Sequence, residues 1–314
     1  MRFLFLFSVC AVSVSSSVAP QLFPAELPTL LLPWPNPAVS WWSQPDDTWP
    51  ALIALISQGT RRRAVTSINL YCGFDVSADG IIEGNVSSAC AAVIPELHRL
   101  GVLPEVCVDG LDIIALRRLW AAPPAPSIAA LVAATAPFGI RGVNFDFEPG
   151  EGKNATIPGV DARAYAGWMA AACPLLRAAG MRCTADVDDG PMLSEFNVLG
   201  PPVDRLFDMS TYNKPNFKIW SDYYHYFNNR SVLALDRVGV GLGAWVDVAL
   251  NGTWPVTPES ATQRLDLIAA DAVPEVGMFL LMPVNCSVYP GMEGASECPE
   301  PWWWPALEGY IAHT

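Results

Sequence analysis

Residues 142–152 read GVNFDFEPGEG, and within them Asn144, Asp146 and Glu148 alternate with Val143, Phe145 and Phe147. Successive side chains of a β-strand point to opposite faces, so the three polar groups share one face and the three apolar groups the other. On the wet face of an antiparallel sheet such a pattern would be ordinary. Directed into a closed barrel, it puts two carboxyl groups where burial is costly, and costly burial points to chemistry.

The flanking sequence decides between those settings. Short apolar runs with β-branched or aromatic residues recur at 38–42, 65–73, 104–108, 142–147, 182–187, 205–211, 238–244 and 277–282. Helical patterns fall between and after them, at 48–58, 88–100, 127–136, 161–179, 193–197, 219–229, 258–270 and 303–312. Strands alternating with helices in this way predict an α/β fold, a single (β/α)8 TIM barrel, rather than an open doubly wound sheet. In the helix expected at 161–179, Asp161 is the expected N-cap, Gly180 follows the end, and Pro174 warns of a kink or a late break.

The chain of 314 residues is 52% hydrophobic, enough for a sizeable core. Its start, MRFLFLFSVCAVSVSSSVAP, has one basic residue, an apolar run and then small residues, the layout of a secretory signal peptide. Residues 1–19 are therefore assigned to the signal and 20–314 to the barrel. The apolar run falls short of the roughly 20 residues that span a bilayer. Sequons at Asn85, Asn154, Asn229, Asn251 and Asn285 fit a glycosylating secretory route, to the exterior or to a lumen such as a lysosome or vacuole. Beyond Cys10 in the signal lie Cys72, Cys90, Cys107, Cys173, Cys183, Cys286 and Cys298. Bridges Cys173–Cys183 and Cys286–Cys298 are expected, with one more among the first three and a buried thiol left over. With no CxxC spacing and three histidines, no metal is expected. A net charge of −13 argues against nucleic acid as a partner and leaves neutral polymers as the natural class.

Barrel enzymes of this architecture place their sites at the C-terminal ends of the strands. The informative side chains here fall at those ends: Trp41, Trp42, Asp109, Asp146, Glu148, Asp186, Asp188, Tyr212, Asn213, Trp245 and Asp247. Asp186, Asp188 and Asp247 also suit helix caps or solvated loops, and the tryptophans suit either sugar stacking or core packing. Asp146 lies about 6.6 to 7 Å along the strand from Glu148, so a second carboxylate and desolvation would raise the pKa of Glu148 and favour a protonated acid. One acid to protonate a leaving group and another to orient or stabilise is a demand of glycoside hydrolysis.

GVNFDFE resembles the DGxDxDxE signature on the fourth strand of glycoside hydrolase family 18, the family of chitinases and endo-β-N-acetylglucosaminidases. STYN at 210–213, followed by KP, is similar to the family's Tyr-Asp or Tyr-Asn element on strand six. VSWWSQ at 39–44, TSINLYCGF at 66–74 and VGVGLGAW at 238–245 resemble strands one, two and seven. The resemblance implies a substrate-assisted retaining reaction in which the substrate's own N-acetyl group replaces an enzyme nucleophile. Glu148 would be the general acid and then the base, Asp146 would stabilise the acetamido group, and Tyr212 would hydrogen-bond it. Asn144, Asn213, Trp41, Trp42, Asp188 and Trp245 would contribute to substrate binding.

Three departures stand out. Arg141 replaces the first Asp of the signature, Asn144 replaces the inner Asp, and Leu281 stands where the family usually has a tryptophan floor. Asn144 removes a charge beside Asp146, which predicts weaker proton sharing and a lower rate or a shifted pH optimum. The expected protein is thus a secreted, cofactor-free, monomeric hydrolase of N-acetylglucosamine-containing saccharides, not membrane-bound once the signal is removed. A catalytically silent chitinase-like lectin is the alternative. A two-carboxylate glycosidase is less well matched, because strand seven offers only Asp247 and no Glu.

Overall fold

The structure is a computed structural model that describes residues 34–43, 49–149, 156–157, 159–187, 202–212, 216–231, 237–243, 257–279, 281 and 301–313. Its strands are β1 (Ala38–Ser43), β2 (Ser67–Val76), β3 (Ile82–Gly84), β4 (Leu103–Gly110), β5 (Gly142–Phe147), β6 (Arg182–Val187), β7 (Arg205–Asp208), β8 (Val238–Gly243) and β9 (Glu275–Phe279). The helices are α1 (Trp49–Ile56), α2 (Ser88–Leu100), α3 (Ile113–Ala121), α4 (Pro124–Thr135), α5 (Val160–Ala178), α6 (Phe217–Ser231), α7 (Pro258–Ala270) and α8 (Trp303–His313). All strands but β3 pair in parallel, and β1 pairs with both β2 and β9, which closes the (β/α)8 barrel. β3 adds a short antiparallel hairpin to the end of β2. Among the described residues no single helix is long and apolar enough to cross a membrane.

Boundaries moved for local reasons. The strand expected to reach residue 211 ends at Asp208, whose carboxylate accepts the Ser210 N–H at 2.9 Å and turns the chain. The last strand begins at Glu275, two residues before its apolar run, because that buried glutamate is an ion-pair partner inside the barrel. α3 was not expected; Asp112 caps it by accepting the Ile114 N–H at 2.9 Å. α5 begins one residue before Asp161, which is not its cap: its carboxylate accepts the Ile157 N–H at 2.6 Å and a bidentate bond from Arg117. Pro174 lies within α5 without ending it. The helix expected at 193–197 lies outside the described residues.

Outward-facing strand residues pack under the helices. Phe145 meets Trp168 of α5 edge-on at 5.4 Å, and Phe147 contacts Tyr165 at 5.2 Å. Cys72–Cys90 ties β2 to α2, and Cys173–Cys183 ties α5 to β6, while Cys107 is free and buried, as the cysteine spacing led us to expect. Cys286 and Cys298 lie outside the described residues.

Inward-facing residues fill the barrel in layers. At the bottom Glu275 accepts bonds from Arg182 at 2.9 Å, Arg205 at 2.7 Å and the Ser40 hydroxyl. Glu105 sits 3.9 Å from Arg182 and is fully buried. Above them the Trp42 indole meets Phe207 edge-to-face at 5.0 Å. The glycines of β8 and β9 make room for these rings, since a Cβ at Gly239 would lie 2.3 Å from Phe207 and one at Gly277 2.8 Å from Trp42.

Candidate active site

The alternation read from the sequence holds in β5: Asn144 and Asp146 point into the barrel while Val143, Phe145 and Phe147 pack outward. Parallel register brings Asp109 of β4 beside Asp146, and Thr184 of β6 beside Asn144. Asp146 is only 7% exposed, and its carboxylate lies 3.2 Å from the Tyr71 hydroxyl and 3.9 Å from the Cys107 thiol. Glu148, just past the strand, is exposed at the rim, where its N–H bonds Gly110 C=O at 2.9 Å. The burial expected to act on Glu148 therefore falls on Asp146. Desolvation first, then repulsion from Asp186, Glu148 and Asp109, pushes its pKa well above the usual carboxylate range.

Asp186 was read from sequence as a cap or a solvated residue. Instead it is 1% exposed inside the barrel, accepting from the Asn144 amide at 3.0 Å and from the Trp42 indole N–H at 3.2 Å. Burial raises its pKa well above the ordinary value, against the opposing pull of those two donors. A second buried carboxyl thus stands near Asp146, supplied by the next strand. The signal that Asp186 faces inward was its parity with Arg182 and Thr184 in β6.

Tyr212 is half-buried and stacks on Phe279 with centroids 5.5 Å apart, its ring filling the space over Gly241. Burial and the carboxyl groups of Asp186, Asp146 and Glu148 push its phenol pKa well up, so it stays a neutral donor. Burial also lifts Asp109 to about 6, with the Cys107 thiol 3.6 Å away acting the other way. Tyr71 and Cys107 carry no signature that sequence reasoning could have used, and both reach Asp146 only through the register of β2 and β4.

The tryptophans assigned to substrate binding are placed differently. Trp41 faces the helices, bonds Ala64 C=O at 2.8 Å and packs on Trp304 at 5.4 Å, so it is core. Trp42 faces inward but is 1% exposed, which leaves no open ring face for a sugar; its role is to fill the barrel and to bond Asp186. Leu281 is also fully buried, its N–H bonded to Trp42 C=O. Asn213, Asp188, Trp245 and Asp247 lie outside the described residues, as do the sequons at Asn154, Asn251 and Asn285. Asn85 is exposed, and Asn229 lies in α6.

Cys107, Asp109 and Asp146 each offer one ligand atom within 4.8 Å of the others, close enough for a cation. Burial and the surrounding carboxyl groups, however, raise the Cys107 pKa well above the thiol range and disfavour the thiolate that a metal would need.

Solved structures share this arrangement of strands and helices. A chitinase from Chromobacterium violaceum superposes with a TM-score of 0.65 at 14% identity, over 88% of this chain and 99% of that one. The chain has a chitinase-like fold. The C-terminal domain of a putative chitinase from Desulfitobacterium hafniense matches this chitinase-like barrel at 0.68 and 15% identity, over 88% and 100% of the two chains. A group IV chitinase from Ostrinia furnacalis, solved in complex with allosamidin, matches at 0.61 and 11%, over 88% and 98%. No family model matches the sequence, and no curated relative does. At these identities the likeness concerns the barrel itself.

Proposed function

We propose that the chain is a secreted glycoside hydrolase acting on β-1,4-linked N-acetylglucosamine, in chitin oligomers or in the core of N-glycans, by a substrate-assisted retaining mechanism. The observation that carries this reading is a buried Asp146 near the end of β5 with an exposed Glu148 two residues on, at the rim. Glu148, open to the mouth, reaches the glycosidic oxygen and donates its proton as the bond to the leaving sugar breaks. Asp146 accepts the acetamido N–H and offsets the positive charge that develops as the acetamido oxygen attacks the anomeric carbon. Tyr212, a neutral phenol, donates to that same oxygen. Water then enters with Glu148 as base, and the sugar leaves with its configuration retained.

Nothing in this sequence of steps needs a cofactor. The two bridges, Cys72–Cys90 and Cys173–Cys183, support an oxidising, secretory setting. The allosamidin complex of the Ostrinia chitinase supports a chitin-like saccharide as the partner class. Glu148→Gln tests the reading directly. Turnover of chito-oligosaccharides or high-mannose glycopeptides should fall about 10²–10⁴-fold with the melting temperature unchanged, because the side chain is exposed. Equal turnover by the variant rejects the mechanism, and wild-type binding without product over long incubation favours the lectin.

A further inference from the structure

Asn144, Asp146 and Asp186 form one buried unit across two strands. β5 and β6 are in register through Asn144↔Thr184 and Phe145↔Ala185; Asp146 and Asp186 each stand one residue beyond the last of these pairs, near enough for Asp186 to repel Asp146. Two carboxyl groups so close in an apolar interior do not both ionise. Their hydrogen bonds are unequal. Asp186 receives two N–H donors with no acceptor role, the Asn144 amide at 3.0 Å and the Trp42 indole at 3.2 Å. The Asn144 amide is itself held by Thr184 at 3.0 Å, and its oxygen faces the Cys107 thiol at 3.5 Å. Asp146 meets the Tyr71 hydroxyl, the Cys107 thiol and the Glu148 carboxyl, the last of which favours the protonated form of Asp146. Donors that cannot accept stabilise a carboxylate, whereas hydroxyls serve either protonation state.

We propose that Asp186 is a positioning residue: fixed as the carboxylate of the pair by Asn144 and Trp42, it holds the proton on Asp146 in the resting site. The proton then sits next to Glu148, the group that must carry one to act as the acid. Asn144 gains a purpose in this arrangement, because its amide donates to Asp186 while turning an acceptor towards Cys107 and carries no charge of its own. The other titratable groups acting on the pair are Tyr71 from β2, Glu105, Cys107 and Asp109 from β4, Tyr165 from α5, Glu148 above, and Tyr212 beyond β7. The phenols and the thiol are all held neutral by burial, which leaves Asp109, Glu148 and Glu105 as the remaining carboxyl groups.

The catalytic consequence rests on the hydrolase reading; the protonation order does not. Carbon-13 NMR of aspartate-labelled protein, with resonances assigned by single substitutions, follows each carboxyl against pH. In the wild type the Asp186 resonance should titrate first and Asp146 should remain protonated to higher pH. In Asp186→Asn the Asp146 midpoint should drop by about one pH unit or more, and the alkaline limb of the hydrolysis profile should move the same way. Asp146 ionising before Asp186 in the wild type, or an Asp146 midpoint unmoved in the folded variant, overturns the proposal. If the variant does not fold, the wild-type order alone decides. A wild type that hydrolyses no N-acetylglucosamine substrate rejects the functional reading and leaves the titration to stand or fall by itself.

Discussion

Asn144 and Asp186, 42 residues apart in sequence, are joined by a 3.0 Å hydrogen bond across the β5–β6 pair. The bond answers the most unusual feature of GVNFDFE. The amide of Asn144 does not empty the site of a second acid, because Asp186 comes from the neighbouring strand. Asp146 consequently keeps a buried acidic neighbour, and burial, Asp186, Glu148 and Asp109 together hold its pKa well above the usual carboxylate range.

Tyr71→Phe tests the support of Asp146 from the other side. The substitution removes one hydroxyl 3.2 Å from a buried carboxyl and changes little volume. A bond of that kind contributes about 1.5 kcal/mol, so kcat/KM on chito-oligosaccharides should fall roughly tenfold with the fold retained. No kinetic change would show that the hydroxyl is idle.

Glu105 makes the stability of the barrel depend on pH. Burial, offset in part by Arg182 and reinforced by Glu275, lifts its pKa to about 7, and neither carboxyl oxygen has a hydrogen-bond partner among the described residues. An acid whose pKa is higher in the folded state than in the unfolded one holds its proton more tightly when folded. Its contribution is therefore complete below the unfolded value of about 4.5 and is lost as pH rises through 7. The loss amounts to roughly 3 kcal/mol. Glu105→Gln should flatten the wild-type decline in urea midpoint between those two pH values, and parallel curves for the two proteins would refute the assignment.

Gly277→Ala addresses the packing beneath the site. The added methyl would fall 2.8 Å from Trp42 and 2.9 Å from Phe207, two rings with nowhere to move inside the barrel. A cost of about 1–3 kcal/mol is expected, together with reduced activity as Trp42 is pushed off Asp186. Wild-type stability and activity in this variant would mean that the interior is looser than its contacts imply.

Opening the Cys72–Cys90 bridge by the double substitution to Ala should cost about 3 kcal/mol, because it frees a loop of 18 residues in the unfolded chain. Both cysteines lie on the helix-facing side of the barrel, so the folded fraction should retain its kcat. Loss of kcat in folded protein would tie the bridge to the site.

The sequence by itself determined the inward face of Asp146, the alternation of strands and helices and a buried free thiol among the first three cysteines, because each rests on a local period or a short spacing. Alternation with period two fixes which side chains look inward once a barrel is granted. It does not fix what they meet there. Trp41 and Trp42 are adjacent in sequence with the same side chain, yet one packs on Trp304 outside the barrel and the other bonds Asp186 within it. Glu148 and Asp146 look equivalent on the strand, but the rim exposes the first and the barrel buries the second. Asp186, Tyr71 and Cys107 enter the site only through strand register, a property of pairs of segments distant along the chain. The tertiary structure alone decided which carboxyl is desolvated and which donors face it, since burial and cross-strand hydrogen bonding exist only once the barrel has closed.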